Sequence, residues 1–186
     1  YTHHFERRRK AEIEVFGEGV VPDTDRLEID IGELNTPEMW NFVSERDPDL
    51  TLSYGIKILN ERSLEEISND AWNIHGGLSP LYKGGITHFW PSYMLEPQMT
   101  GITLHKLTMD LDGGGIVHQS TGPLVEGDGV HQLACRTVED FTDNHLPKVL
   151  DIYEHGTLKE PVEQSRHGKM WYKSDWRPEH LITMYE

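Results

Sequence analysis

A short apolar segment that runs directly into a glycine-rich turn constrains the fold of this chain more than any other feature. Residues 71–74 (AWNI) have the composition of a strand, and residues 75–77 (HGG) follow without a break. Side chains two apart on a strand share a face, so Asn73 and His75 are expected side by side at the strand end. Functional sites in α/β folds gather at the carboxyl ends of strands. The segment therefore predicts a polar site at one edge of a sheet.

Strands and helices alternate in the rest of the predicted chain. Strand patterns fall at residues 27–31, 50–54, 102–109 and 116–121. Helix patterns fall at residues 2–16, 37–46, 63–68, 88–95 and 130–153, with Ser63 as the cap of the third and Pro147 as a kink in the last. Such alternation, ending in a hairpin, is typical of an α/β fold with a mixed, mostly parallel sheet. We expect one domain over residues 1–156 and a tail over 157–186 that packs back onto it.

Composition excludes several classes of protein. The 186 residues, 36% of them hydrophobic, can form one domain with a core. The sequence shows neither an apolar run near membrane-spanning length nor a signal peptide, so we expect a cytoplasmic protein without a membrane partner. A net charge of −15 disfavours nucleic acid as a partner. The single Cys135 fits a buried packing role in a reducing compartment.

Charged and metal-binding side chains give two further hypotheses. The basic run Arg7 to Lys10 is either the solvated face of a first helix or a contact for a phosphate or another anion. The 11 histidines have no metal-ligand spacing, so no metal site is expected.

A second glycine-rich turn, residues 110–115, adds a carboxylate at Asp112. Acyl transfer to an amine requires a donor for the oxyanion, a base, and a charge that tunes the base. An Asn amide, an imidazole and a carboxylate are suited to these tasks. Taken singly, each residue has an ordinary alternative: Asn73 as a turn former, His75 as a structural histidine, and Asp112 as a turn residue.

The longer pattern around these residues resembles the folate-dependent N-formyltransferases. Asn73-x-His75 is followed by residues 78–84 (LSPLYKG), and Gly101-x-Thr103-x-His105 by residues 112–114 (DGG) and Ile116-x-x-Gln119. The resemblance covers about residues 47–155. It implies a Rossmann-like formyltransferase domain that uses N10-formyltetrahydrofolate as formyl donor.

The resemblance also assigns roles to residues. Asn73, His75 and Asp112 would be catalytic, with the choice of proton acceptor between His75 and Asp112 left open. The folate-binding residues would be Lys57, Ile58, Leu59, Thr108, Asp110 and Leu111. Residues near the acceptor would be Tyr82, Lys83 and Gly84, and His105 would support the site.

The chain departs from the family pattern at its start. Family members begin with a strand and a glycine-containing loop for the acceptor's phosphate, whereas this sequence opens at a helix. We therefore expect either a piece of a longer protein or a shortened domain without the usual first strand.

The identity of the acceptor is a separate hypothesis. Residues 168–181 resemble the segment after the catalytic core in amino-sugar N-formyltransferases, so a nucleotide-linked amino sugar is the expected small-molecule amine. Alternatives are a glycinamide ribonucleotide formyltransferase, a formyltetrahydrofolate hydrolase in which water replaces the amine, and an inactive folate-binding paralogue. A homodimer is left open.

Overall fold

Four strands form the main sheet of the computed structural model, which describes residues 2–20, 22–67, 70–164 and 168–185. In chain order the strands are β1 (Leu50–Tyr54), β2 (Asp70–His75), β3 (Tyr82–Gly84), β4 (Gly101–Lys106), β5 (Ile116–Thr121) and β6 (Lys169–Trp171). The main sheet has the order β1-β2-β4-β5, and β3 pairs with β6 in a parallel two-stranded sheet.

Helices surround the main sheet. They are α1 (Thr2–Phe16), α2 (Pro37–Ser44), α3 (Glu61–Glu66), α4 (Trp90–Tyr93), α5 (Val130–Asp140), α6 (Leu146–Glu154) and α7 (His180–Tyr185). A π-helical turn, Phe141–His145, joins α5 to α6. Within the described ranges, no helix combines the length and the apolar character needed to cross a membrane.

The α/β class and the mixed sheet predicted from sequence are confirmed. Strands β1 and β2 are parallel, β4 and β5 form the predicted antiparallel hairpin, and the antiparallel pairing of β2 with β4 was not predicted. The connection from β4 to β5 is a short turn, and a parallel pair would require a crossover of about a dozen residues or more. The central strand β4 is buried over all but its last residue, so it anchors the sheet.

The main core lies between the sheet and the helical segment 130–154. Trp72, Ile102 and Leu104 from the sheet pack against Phe141 and Val149, and all five side chains are buried. Burial of each large apolar side chain contributes about 1.5–3 kcal/mol, so this layer holds β2 and β4 firmly in place. A second cluster joins Tyr82 and Trp90 to Trp171 and Leu181, which brings the tail against the body.

The predicted strand at residues 27–31 does not form. The main-chain N–H of Asp30 donates to the Glu33 carboxylate at 2.8 Å, and Ile31–Glu33 is a 3₁₀ turn. Local polar bonds of this kind compete with strand pairing, and the segment has no strand neighbour among the described residues.

The helix patterns are largely confirmed, with shifts at their ends. Helix α3 begins at Glu61 because Asn60, not Ser63, is its cap: Asn60 Oδ1 accepts from the Ser63 N–H at 2.8 Å. The predicted end at Ser68 lies outside the described residues. Pro91 stands in the first turn of α4, which shortens the helix predicted for residues 88–95. The predicted long helix is interrupted by the π turn just before Pro147, which lacks an N–H for helix bonding.

Candidate active site

A cavity of about 740 Å³ opens at the carboxyl ends of the parallel strands β1 and β2. Tyr54, the last residue of β1, and the two residues after it form part of its wall. Asn73, His75 and Asp112 also line it, although Asp112 is far from the other two in sequence. The structure therefore brings together the three side chains that the sequence singles out for chemistry.

Asn73 is held by a row of cross-strand neighbours. Ser53 on β1 and His105 on β4 are its register partners, one on either side. Ser53 Oγ donates to Asn73 Oδ1 at 2.9 Å, and Asn73 Nδ2 lies 3.2 Å from His105 Nε2. His105 Nδ1 must donate to the Lys106 carbonyl at 2.8 Å, so its Nε2 is free to accept from Asn73. An amide nitrogen carries two hydrogens, which leaves Asn73 one N–H for a group in the cavity.

The tautomer of His75 follows from its partner. His75 Nε2 lies 2.7 Å from the Tyr82 carbonyl oxygen, which can only accept, so Nε2 carries the proton. The other ring nitrogen, Nδ1, lies 3.4 Å from Asp112 Oδ1. Burial lowers the pKa of the His75 imidazole below its ordinary 6.5, while the Asp112 charge opposes part of that shift. At neutral pH, Nδ1 is therefore an unprotonated base beside a carboxylate.

Asp112 is a buried carboxylate held in a strained backbone conformation. Its φ of 49° lies in the left-handed region, which Asp tolerates better than most residues. Its Oδ2 accepts from the Gly84 N–H at 2.7 Å, and its Oδ1 also lies 3.7 Å from His105 Nε2. Burial alone would raise the pKa of this carboxyl, but the His105 and His75 rings, when protonated, and the Gly84 N–H hold it below its ordinary value.

The turn after β2 is packed tightly against the trio. Thr103 Oγ1 donates to the Gly77 carbonyl at 2.7 Å and accepts from the Ser79 N–H at 2.9 Å. A Cβ on Gly77 would overlap the Tyr82 carbonyl and lie 2.7 Å from His75 Nε2. Only glycine at this position leaves room for the bond that fixes the His75 ring.

The predicted ligand-contacting residues divide into two groups. Leu111 and Gly84 line the cavity. The remaining ones lie outside its wall: Lys57, Ile58, Leu59, Thr108, Asp110, Tyr82 and Lys83. Leu59 is buried in an apolar cluster with Met39 and Trp40, and the Tyr82 hydroxyl donates to Glu96 at 2.8 Å. Tyr82 reaches the site through its carbonyl only.

Several wall residues were not predicted from sequence. Tyr54 ends β1 and Ile56 lies two residues after it, so the rule that sites lie at the carboxyl ends of strands could have identified them. Half-buried His88 also lines the cavity, and desolvation of its ring lowers the pKa of the imidazole to about 4. Helices α1 and α5 supply the outer wall, including Arg8 of the basic run. Within the described ranges, no group of three or more His, Cys, Asp or Glu side chains could hold a metal ion.

Ser53 provides a test of how the Asn73 amide is positioned. Ser53→Ala removes the hydroxyl that orients the Asn73 amide, so we expect kcat of a site that uses this amide to fall about fivefold, the value of one net hydrogen bond. Thr51→Ala is the control, because the Thr51 hydroxyl on the same strand has no hydrogen-bond partner among the described residues. Equal kcat for the two variants would show that Ser53 does not orient Asn73.

This geometry can perform acyl transfer to a nucleophile. A fixed N–H donor, a neutral imidazole base and an ionised carboxylate face one cavity, and such a set can stabilise an oxyanion and accept a proton.

Known proteins similar to this chain agree with that chemistry. The sequence model of the family described as Formyl transferase matches residues 9–150. Over 121 residues, or 63% of this chain, the sequence is 30% identical to the bifunctional polymyxin resistance protein ArnA of Wigglesworthia glossinidia brevipalpis. The chain covers 18% of the length of that protein.

Solved structures share the fold. The formyltransferase PseJ from Anoxybacillus kamchatkensis, in complex with UDP-4,6-dideoxy-4-formamido-L-AltNAc and tetrahydrofolate, matches with a TM-score of 0.58 and 20% identity over 97% of this chain and 87% of that one. Phosphoribosylglycinamide formyltransferase from Anaplasma phagocytophilum matches with a TM-score of 0.59 and 24% identity over 73% of this chain and 66% of that one. At these identities the similarity shows a common fold and no more.

Proposed function

Because this chain belongs to the formyl transferase family, we propose that it transfers a formyl group from N10-formyltetrahydrofolate to a primary amine. The observation that carries the proposal is the arrangement of Asn73, His75 and Asp112 around one cavity. Purely structural roles for these residues do not explain this arrangement. A turn former, a structural histidine and a turn carboxylate would not be expected together at one cavity wall.

The first step is attack of the amine nitrogen on the formyl carbon. A carbon–nitrogen bond forms and the carbonyl electrons move to oxygen, which becomes negatively charged. The free N–H of Asn73 donates to that oxygen. Ser53, which donates to the amide oxygen, and His105, which accepts from the amide nitrogen, keep the amide in place. A preorganised donor of this kind stabilises the transition state more than the ground state.

The second task is removal of a proton from the attacking amine. We assign it to His75 Nδ1, because Nε2 is already occupied by the Tyr82 carbonyl. The imidazolium that forms lies beside the Asp112 carboxylate at 3.4 Å, which stabilises its charge. The bond from the formyl carbon to the folate nitrogen then breaks, and that nitrogen takes up a proton returned from the site. In this proposal Asp112 orients His75 and stabilises its protonated form, and His75 is the proton acceptor.

The cavity suits the formyl donor in size and lining. Ligand pockets for molecules of this size are typically about 300–1,000 Å³, and this cavity has about 740 Å³. Apolar side chains of Ile56, Ile74 and Leu111 lie in its wall beside the polar trio. Leu111 therefore contacts the folate directly, and Thr108 and Asp110 shape the turn that carries it. Lys57, Ile58 and Leu59 follow the wall residues Gly55 and Ile56, and buried Leu59 anchors that segment in the apolar cluster with Met39 and Trp40.

For the acceptor we propose a nucleotide-linked amino sugar. Two observations support it: the tail pattern at residues 168–181, and a fold match to a formyltransferase crystallised with a UDP-linked formamido sugar over 97% of this chain. Glycinamide ribonucleotide is the second candidate, supported by the fold match to the Anaplasma enzyme. In either case Gly84, whose N–H donates to Asp112, would lie near the acceptor amine, and Lys83 precedes it on β3 outside the cavity wall.

A panel of amines tests the acceptor. The protein is incubated with N10-formyltetrahydrofolate and, separately, UDP- and dTDP-linked amino sugars, glycinamide ribonucleotide, or no amine. We expect the highest kcat/KM with a nucleotide-linked amino sugar. A preference for glycinamide ribonucleotide would contradict the acceptor, and folate-dependent formate release without any amine would indicate the hydrolase.

The pH dependence of kcat/KM tests the base. His75 must be neutral to accept a proton, so activity should fall as the pH drops through the pKa of His75, which burial places below 6.5. In Asp112→Asn the acid limb of the residual activity should shift to lower pH. The Asp112 charge raises the pKa of His75, so its removal lowers that pKa further. The measurement is corrected for ionisation of the acceptor amine. An acid limb centred above 6.5, or one that Asp112→Asn leaves in place, would contradict the assignment.

A further inference from the structure

The outer wall of the cavity carries one permanent positive charge. His4, Arg8, Glu12 and Phe16 lie one helical turn apart along α1 and all line the cavity, opposite His131 and Cys135 of α5. Among the described wall residues, Arg8 is the only lysine or arginine. A net charge of −15 repels anions over most of the surface, so a positive side chain that faces a cavity marks a place where an anion can bind.

The guanidinium group of Arg8 has hydrogen-bond donors that are not used within the described part of the chain. Its Nε donates to Glu12 Oε1 at 2.7 Å, and the structure shows no described partner for its terminal guanidinium nitrogens. Both side chains of this pair are substantially exposed, so the ion pair contributes little to stability. The guanidinium fork matches phosphate oxygens in geometry and can bind them with two parallel hydrogen bonds.

Two imidazoles adjoin Arg8. The His4 and His131 rings lie 4.5 Å apart, and His4 Nδ1 is 2.8 Å from the Tyr185 hydroxyl oxygen. His131 Nε2 is 3.3 Å from His4 Nδ1 and 3.4 Å from the same hydroxyl. These contacts occupy one nitrogen of each ring, and the other nitrogen has no described partner. The cluster can therefore give an anion further donors beside Arg8.

We propose that Arg8, with His4 and His131, binds the phosphate groups of the acceptor. This inference rests on the proposed function, because it places the phosphorylated end of the acceptor against α1 and α5 while the amine reaches the trio on β2. The carboxylates of a folate glutamate tail are a second source of negative charge, and the experiment below separates the two.

The protonation of the two rings is consistent with a site that accepts an anion. Burial, followed by the charges of His4 and Arg8, lowers the pKa of His131 to about 4. Burial and Arg8 also lower the pKa of His4. Both rings are then neutral at pH 7, and the partly exposed Glu12 carboxylate is the described counter-ion of Arg8. A bound phosphate would supply a second one.

The test is calorimetric binding of UDP without folate, at fixed ionic strength. Arg8→Gln should weaken binding about 10-fold or more, since hydrogen bonds to charged groups contribute about 1.5–3 kcal/mol. Glu12→Gln removes the internal competitor and should tighten binding about threefold. Arg9→Gln is the matched control, because Arg9 carries the same charge on the exposed side of the same helix, outside the cavity wall. Failure of the wild type to bind UDP, or equal Kd values for Arg8→Gln and Arg9→Gln, would overturn the proposal.

Steady-state kinetics separate this inference from the proposed reaction and identify the source of the anion. Arg8→Gln should raise KM for the phosphorylated acceptor about 10-fold and leave KM for N10-formyltetrahydrofolate unchanged. A change in KM for the folate alone would overturn the inference and assign Arg8 to the donor. If UDP binding depends on Arg8 but no amine is formylated, the anion site stands and the proposed reaction fails.

Discussion

Replacement of Asp112 by Asn is expected to lower kcat about 10³-fold, within the range for loss of a group that assists proton transfer. A neutral amide cannot stabilise the imidazolium that forms on His75 when the amine loses its proton. The fold should survive, because Asn also tolerates the left-handed backbone and its oxygen can still accept from the Gly84 N–H. The measurement is kcat at saturating donor and acceptor, together with thermal unfolding.

The control for this variant is Asp23→Asn, which removes the same charge at an exposed position outside the cavity wall. We expect its kcat to match that of the wild-type protein. A loss of kcat in Asp112→Asn no larger than in Asp23→Asn would show that the buried carboxylate is not part of the mechanism.

The second large effect is expected for Asn73→Ala, which should lower kcat about 10²–10³-fold, the usual consequence of deleting one oxyanion donor. The free N–H of Asn73 is the donor that we assign to the developing oxyanion. The substitution also leaves the Ser53 hydroxyl and His105 Nε2 without their shared partner, so a moderate loss of stability is expected as well.

Binding separates these two consequences of Asn73→Ala. If Asn73 acts in the transition state, the Kd for the folate should change little while kcat falls. Asn41→Ala, an exposed position on α2, is the control and should leave both quantities unchanged. A Kd that rises in proportion to the loss of kcat would contradict the role, because the amide would then serve binding alone.

The sequence alone was sufficient for the centre of the site. Asn73 and His75 could be placed on one face of a strand because the strand period is two, and the two glycine-rich turns drew attention to His75 and Asp112. The family resemblance assigned all three residues a catalytic role, which stays a prediction, and membership of that family is confirmed by the match over residues 9–150. Helix α1, strand β1 and the start of α2 were also predicted correctly, since each has a clear pattern or a proline start.

The failures have identifiable causes. Residues 27–31 alternate like a strand, but the Asp30–Glu33 turn satisfies their polar groups locally. Hydrophobic patterns also do not give strand direction, so the antiparallel pairing of β2 with β4 was not predicted. The outer wall of the cavity is formed by α1 and α5, and its position depends on how two helices remote in sequence pack together. For Arg8 the sequence offered only the basic run, with an anion contact as one of two hypotheses.

Formyl transfer itself is the most direct test of the central claim. The wild-type protein is incubated with N10-formyltetrahydrofolate and a pool of amines that includes nucleotide-linked amino sugars, and the products are followed by mass spectrometry. We predict that tetrahydrofolate and an amine heavier by one carbonyl unit appear in equal amounts, and that both disappear in His75→Ala. Folate binding without any formylated amine, or equal product from His75→Ala, would contradict the account.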